Sequence, residues 1–274
     1  MNLLMLFSPL HAVKTILKNK DLLKQLTRQN ILVRYKGSGF GRLWSFITPL
    51  FMLAIYTFVF GYVFKSRWDI DGNESQMSFV LTMFCGLAVF NIFSESVSAS
   101  TTIVTRNVNY VKKVVFPLEI LPVNMLMTSL FFSGVWFIIL FAGIVIFLNK
   151  ICVTAICLPL VICPLIILSQ GTCWLLASLG VYIRDMEHMV NLLLRALLFM
   201  TPIFYPVTRI PEKFRFLFLF NPLAVIVQEM RNVLLYNKWP DWWLLGIATV
   251  FSLIVFQFGY IWFMKTKRGF ADVL

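Results

Sequence analysis

EILPVNMLMTSLFFSGVWFIILFAGIVIFL, residues 119–148, carries a charge at its first position and none after it. Roughly 20 consecutive apolar residues carry a helix across a bilayer core, so this stretch is long enough to span. The same reading recurs on both sides of it. Spans are expected at Trp44–Phe64, Ser78–Ser98, Glu119–Leu148, Ile151–Ile183 and Trp243–Met264, with a shorter one at His188–Ile203. Of the 274 residues, 59% are hydrophobic and 13% charged, and the mean hydropathy is +0.83. Soluble domains average about 25% charged residues. A water-soluble fold could not cover this much apolar surface, so an all-α membrane protein with about six spans is expected.

An even number of spans puts both termini on one side, and basic residues mark that side as cytoplasmic. Residues 1–43 hold Lys14, Lys18, Lys20, Lys24, Arg28, Arg34, Lys36 and Arg42 against the one acid Asp21, while the 65–77 loop holds Asp69, Asp71 and Glu74. The tail, 265–274, adds Lys265, Lys267 and Arg268. The division expected is a cytoplasmic interface segment over 1–43, a membrane domain over 44–264 and a cytoplasmic tail. The net charge of +12 then reflects topology and contact with anionic lipid. No nucleic-acid partner is expected, because the basic residues flank spans and form no separate module. Met1–Lys20 sets a short apolar patch before a basic run, the reverse of a secretory signal.

Catalytic and metal chemistry find little support. Cys85, Cys152, Cys157, Cys163 and Cys173 form no CxxC pair and read as small buried apolar residues. His11 and His188 are far apart, so no metal site is expected. Gly37, Gly39 and Gly41 are spaced GxGxG before Arg42, which fits neither a dinucleotide fingerprint nor a P-loop. They read as a bend where the chain turns into the membrane.

Four regions outside the spans carry pattern. Between Asp21 and Tyr35, Leu22, Leu23, Leu26 and Val33 share one helical face, and Lys24, Arg28 and Arg34 lie elsewhere. That is a helix lying in the interface, apolar side in lipid and basic side toward headgroups or a partner. Leu10, Val13, Ile16 and Leu17 form a shorter stretch of the same kind. Residues 99–118 predict a short helix ending before Pro117. Lys112 and Lys113 are placed there to meet an acidic partner. The loop Arg184-Asp185-Met186-Glu187 lies on the same side, and the two loops read together as a docking surface. The outer stretch, 204–242, is apolar for a loop. It predicts two short helices dipping into the membrane; in the second, Gln228, Glu229, Arg231 and Asn232 face away from the apolar side.

A few polar residues fall within spans. Glu95 needs a partner or water; Arg106 and an inner vestibule are the two alternatives. Arg195 lies about 10 Å from His188 along its helix. It either snorkels to the interface or meets an anionic group at a cavity. Aromatic residues make up 16% of the chain. Most pack or face lipid, but Tyr56, Phe60, Phe199, Phe204 and Tyr205 lie where the first and fifth spans cross and are candidates to line a sugar conduit.

The runs Arg34-Tyr35-Lys36-Gly37-Ser38, Leu43-Trp44-Ser45 with Pro49, and 111–122 (VKKVVFPLEILP) occur in order along the chain. Tyr182-Ile183-Arg184-Asp185, 201–206 (TPIFYP) and Asn221-Pro222-Leu223 follow them. Together they resemble the ABC-2 type polysaccharide export permeases, those for O-antigen above all. The resemblance implies a homodimer in the bacterial inner membrane that binds two copies of a separate ATPase subunit, on which Mg-ATP would sit. This chain itself would carry no cofactor and no catalytic centre. Arg106, Tyr110, Lys112, Lys113, Arg184 and Asp185 would couple to the ATPase. Residues 204–236 would be periplasmic gate helices. The substrate implied is a lipid-linked polysaccharide, its charged headgroup met by Arg34, Arg42 and Arg195. Alternatives are a capsule or teichoic acid exporter, a small-molecule exporter, a lipid-linked sugar transferase and a passive channel. With 12 acids and 2 histidines, mostly in loops, the transferase lacks the convergent acid–base groups it would need.

Overall fold

The computed structural model describes residues 9–34, 36–37, 39–64, 76–112, 116–150, 152–207, 211–213 and 221–274. Every regular element among them is helical. Helices α1 (Pro9–Lys18) and α2 (Lys20–Val33) precede a turn in which Gly37 and Gly41 take positive φ of 88° and 51°. That is the bend expected of the glycines, in a region where a Cβ is strained. Helix α3 (Trp44–Tyr56) runs on as the π-helical Thr57–Val63. There follow α4 (Gln76–Ser100), the short α5 (Val108–Lys112), α6 (Ile120–Leu148), α7 (Leu158–Tyr182), α8 (Met186–Met200), α9 (Pro222–Leu234), α10 (Trp242–Thr266) and α11 (Phe270–Val273).

Among the described residues, four stretches are helical, long and apolar enough to cross a membrane: Met77–Ser100, Ile120–Leu148, Val153–Tyr182 and Trp242–Val273. Trp44–Phe60 is a shorter apolar helix. Local chemistry sets the helix ends. Asn149 closes α6 at a positive φ of 48°. Asn221 accepts the Leu223 N–H ahead of Pro222 at the first turn of α9, and Asp241 accepts the Trp243 and Leu244 N–H groups at the start of α10.

Helix α4 is the hub, buried continuously from Phe79 to Phe90 against α6, α7 and α9. Helices α7 and α10 cross backbone to backbone. A Cβ on Gly171 would lie 2.5 Å from the Phe256 Cα, and one on Gly259 would strike the Gly171 carbonyl. Trp174 sits buried beside this crossing, 5.0 Å from both Phe256 and Tyr260 between ring centroids. Its indole N–H donates to the Glu119 carbonyl at 2.9 Å. The C-terminal end of α10 is fastened by Lys267 Nζ to Glu119 Oε2 at 3.0 Å and by the Tyr182 hydroxyl to the Thr266 carbonyl at 3.0 Å.

The N-terminal helices meet the expected lipid-facing arrangement only in part. Leu23 is buried and Leu22 and Leu26 are half-buried, because α2 packs on α6. Thr27 Oγ1 donates to Asn124 Oδ1 across that contact at 3.0 Å. Val33, expected on the same face, is exposed. On α1, Val13 and Leu17 are exposed, as a lipid-facing side would be, and Ala12 is buried. His11 Nδ1 lies 2.8 Å from the Tyr260 hydroxyl of α10. The cysteines are free; Cys163, expected to be buried, is exposed on α7, and the other four are buried.

Candidate functional site

The two loops read as a docking surface come together. Helix α4 ends in a turn whose Thr101 carbonyl lies against Gly180 of α7, where any side chain would collide. From this anchor the chain runs through a 3-10 turn, Thr105–Asn107, into α5. Arg106 Nη2 reaches Glu187 Oε1 at 3.4 Å, bridging to the α7–α8 turn. Tyr110 stacks on Phe116 with centroids 4.5 Å apart. Lys112, Arg184 and Asp185 are exposed. Lys113 lies outside the described residues.

Glu95 finds a different partner from Arg106. The Arg34 guanidinium, at the end of α2, pairs with it and stands 4.1 Å over the Phe132 ring of α6. Arg106 is instead drawn to Glu187, in the first turn of α8. Glu95 also lines a cavity of about 370 Å³ with Tyr56, Asn91, Ser94, Asn191 and Arg195. This vestibule is walled by α3, α4 and α8. The Ser98 hydroxyl donates to Asn191 Oδ1 across it at 2.6 Å. Arg195 is exposed at the wall. The Arg42 side chain lies outside the described residues.

The aromatic candidates assemble beside this cavity. Phe204 lies 5.8 Å from Phe60, 6.4 Å from Tyr56 and 5.8 Å from Phe199 between ring centroids. The Tyr205 hydroxyl donates to the Phe199 carbonyl. Residues from the first apolar helix and from the break after α8 thus share one cluster.

Helix α9 overturns the expected outward-facing polar side. Glu229 and Arg231 are both buried. Arg231 donates from Nε to the Thr82 carbonyl at 3.1 Å, from Nη1 to the Pro202 carbonyl at 2.8 Å and from Nη2 to the Ile203 carbonyl at 3.1 Å. Gly86 makes room for it, since a Cβ there would lie 2.8 Å from Nη2. Glu229 accepts the Asp241 N–H at 2.9 Å and an Asn232 amide N–H at 3.2 Å. Burial pushes its carboxyl above the ordinary carboxylate range, against the pull of these donors. A signal for Arg231 did exist in the sequence. Thr201-Pro202-Ile203 breaks α8, and carbonyls released from a helix within an apolar body need donors. The first arm of the expected gate hairpin lies mostly outside the described residues.

Among the described residues, no group of three or more His, Cys, Asp or Glu side chains could hold a metal ion. Residues 21–235, which include all of these features except the α10 end, match the family of ABC-2 type transporters. This chain belongs to the ABC-2 type transporter family. It is a multi-pass membrane protein of that family. The ABC-2 chain is 29% identical over 259 residues to an O-antigen export system permease protein RfbA of Klebsiella pneumoniae, covering 93% of this chain and 95% of the relative. It is 25% identical over 271 residues to RfbA of Myxococcus xanthus, covering 96% and 99%. It is also 25% identical over 251 residues to the polysialic acid transport protein KpsM of Escherichia coli, covering 88% and 91%.

Proposed function

We propose that this ABC-2 chain is the permease subunit of an ATP-driven exporter of a surface polysaccharide, with a lipid-linked O-antigen as its substrate. The observation that carries the reading is the end-to-end similarity to permeases named for O-antigen export, spanning 96% of this chain and 99% of one relative. In this reading the chain forms a homodimer in the inner membrane and binds two copies of an ATPase subunit. The exposed end where Arg106 meets Glu187 is the docking surface. Lys112, Lys113, Arg184 and Asp185 are its coupling residues. ATP-driven closure of the partners then favours one permease conformation over another. Helix α3 with its π-helical extension and helix α8 complete six spans, both termini being cytoplasmic. The exposed apolar residues Leu50, Phe51 and Phe58 on the first, and Leu192 and Leu193 on α8, support a face covered by lipid or by the second protomer.

Polymer would pass the Tyr56, Phe60, Phe199, Phe204 and Tyr205 cluster, whose rings stack on the apolar faces of sugars without demanding one linkage. Arg195 at the vestibule, Arg42 and Arg34 are the candidates to meet an anionic headgroup, Arg34 having first to leave Glu95. The deciding experiment compares surface polymer with lipid-linked polymer retained inside a native host, with the gene deleted and restored. Loss from the surface with accumulation inside supports export. Loss from both places points to synthesis, and no change in either overturns the polysaccharide reading in favour of a small-molecule exporter.

A further inference from the structure

Between α2, α3 and α6 lies a groove of about 1060 Å³, just above the range of about 300–1,000 Å³ usual for small-molecule pockets. Its interior is apolar, with Leu23, Ile31, Phe46, Leu130, Val135 and Ile138 on the walls. One edge is basic. Lys20, Lys24 and Arg28 stand on successive turns of α2, about 6 Å apart along the axis. They make no ion pair among the described residues. The groove also includes Phe131 and Ile138, exposed on α6, a helix apolar enough to cross the bilayer.

An occupant must therefore be anionic at one end and hydrocarbon at the other. Burying only its hydrocarbon would leave three cations facing nothing, and a free anion would leave the apolar walls bare. We infer that the groove holds an anionic glycerophospholipid, its phosphate on Lys24 and Arg28 and its acyl chains along Leu130, Val135 and Ile138. Basic pockets beside spanning helices bind such headgroups in this way. The assignment rests on the membrane topology under the proposed function, and the groove shares no lining residue with the vestibule lined by Arg195. A lipid there has a mechanical role. The floor of the groove includes Thr27, which ties α2 to α6, and Phe132, which lies under Arg34. The bound lipid would be a third fastening of the same helix pair.

Native mass spectrometry of the purified full-length permease, titrated with phosphatidylglycerol or phosphatidylethanolamine, tests this without depending on export. Phosphatidylglycerol is expected to bind in preference. Lys24→Gln with Arg28→Gln is expected to weaken it roughly thirtyfold, from two lost charges, while Lys18→Gln, outside the groove, leaves it unchanged. Ile138→Trp, which fills the mouth from an exposed position, is expected to reduce binding of both lipids. Equal binding of the two lipids, or unchanged affinity in the folded double variant, overturns the proposal. Preferred binding of a polyprenyl pyrophosphate at the same residues also overturns it, in favour of substrate. A disulfide forming between protomers through Ile138→Cys overturns it as well, because the groove would then be closed by a second copy.

Discussion

Replacing Arg231 with Met takes the donor from three carbonyls at once, those of Thr82, Pro202 and Ile203. A hydrogen bond from a charged donor is worth about 1.5–3 kcal/mol, and an orphaned buried acceptor adds its own cost. The variant is expected to lose several degrees or more of melting temperature in detergent, measured by size-exclusion survival after heating. Arg231→Lys is expected to recover part of it, since an ammonium cannot fork to three acceptors in the guanidinium plane. Gly86→Val should mimic the defect by pushing on the same guanidinium. At the other end of α4, Arg34 and Glu95 call for a double-mutant cycle. Arg34→Ala, Glu95→Gln and the pair together are expected to give a coupling of about 0.5–3 kcal/mol, read from thermal unfolding. Coupling indistinguishable from zero would mean that the pair is a passing contact. The need of Glu95 for a partner was legible in the sequence, and the partner's identity was not. Arg34 and Glu95 lie on elements whose meeting depends on how α2 seats, a matter of three-dimensional packing. Arg231 was misread for a related reason. Its helix is amphipathic by spacing, but the surface under its polar side is other backbone instead of water.

Among the elements, span positions followed closely from apolar length. Expected Glu119–Leu148 became α6 at Ile120–Leu148, and expected Trp243–Met264 became α10 at Trp242–Thr266. What length could not say was which span forms the centre. Helices α4 and α6 are both long and apolar enough to span, and in lipid the core and the outer face of a helix demand the same hydrophobicity. The centre is decided by small residues that admit close packing, as at Gly86 under Arg231 and Gly171 under Phe256. Gly171→Leu is expected to abolish folded protein, or to cost at least the roughly 1–3 kcal/mol of ordinary overpacking. Gly134, also within an apolar helix but with nothing near its absent Cβ, should accept Ala with little change. Comparing the monodisperse yield of the two variants checks the distinction. The short α5 and its stop before Pro117 were also legible, because the restriction that proline imposes on the preceding residue is local.

For the whole molecule, the docking reading makes a prediction that separates function from stability. Charge reversal at Lys112 and Lys113 is expected to remove most of the ATPase coupling and polymer export while membrane insertion and melting stay unchanged. Normal export in that variant would end the coupling assignment. Arg106→Ala should likewise leave stability within about 1 kcal/mol, as for other exposed ion pairs, while lowering export.

The crossing of α7 on α10 carries a mechanical consequence for any transport cycle. Two helices whose backbones touch at Gly171 and Gly259, with Trp174 wedged alongside and their C-terminal ends tied through Glu119 and Thr266, have little clearance in which to slide or roll. They form one stiff lever. Force applied at the Arg184–Asp185 turn, at one end of α7, must reach the far end of α10 undiminished. Any hinge is then expected elsewhere, at the π-helical Thr57–Val63 and the break after Met200. Paired spin labels on α7 and α10 should hold a constant separation through nucleotide turnover, and labels bridging either hinge should not.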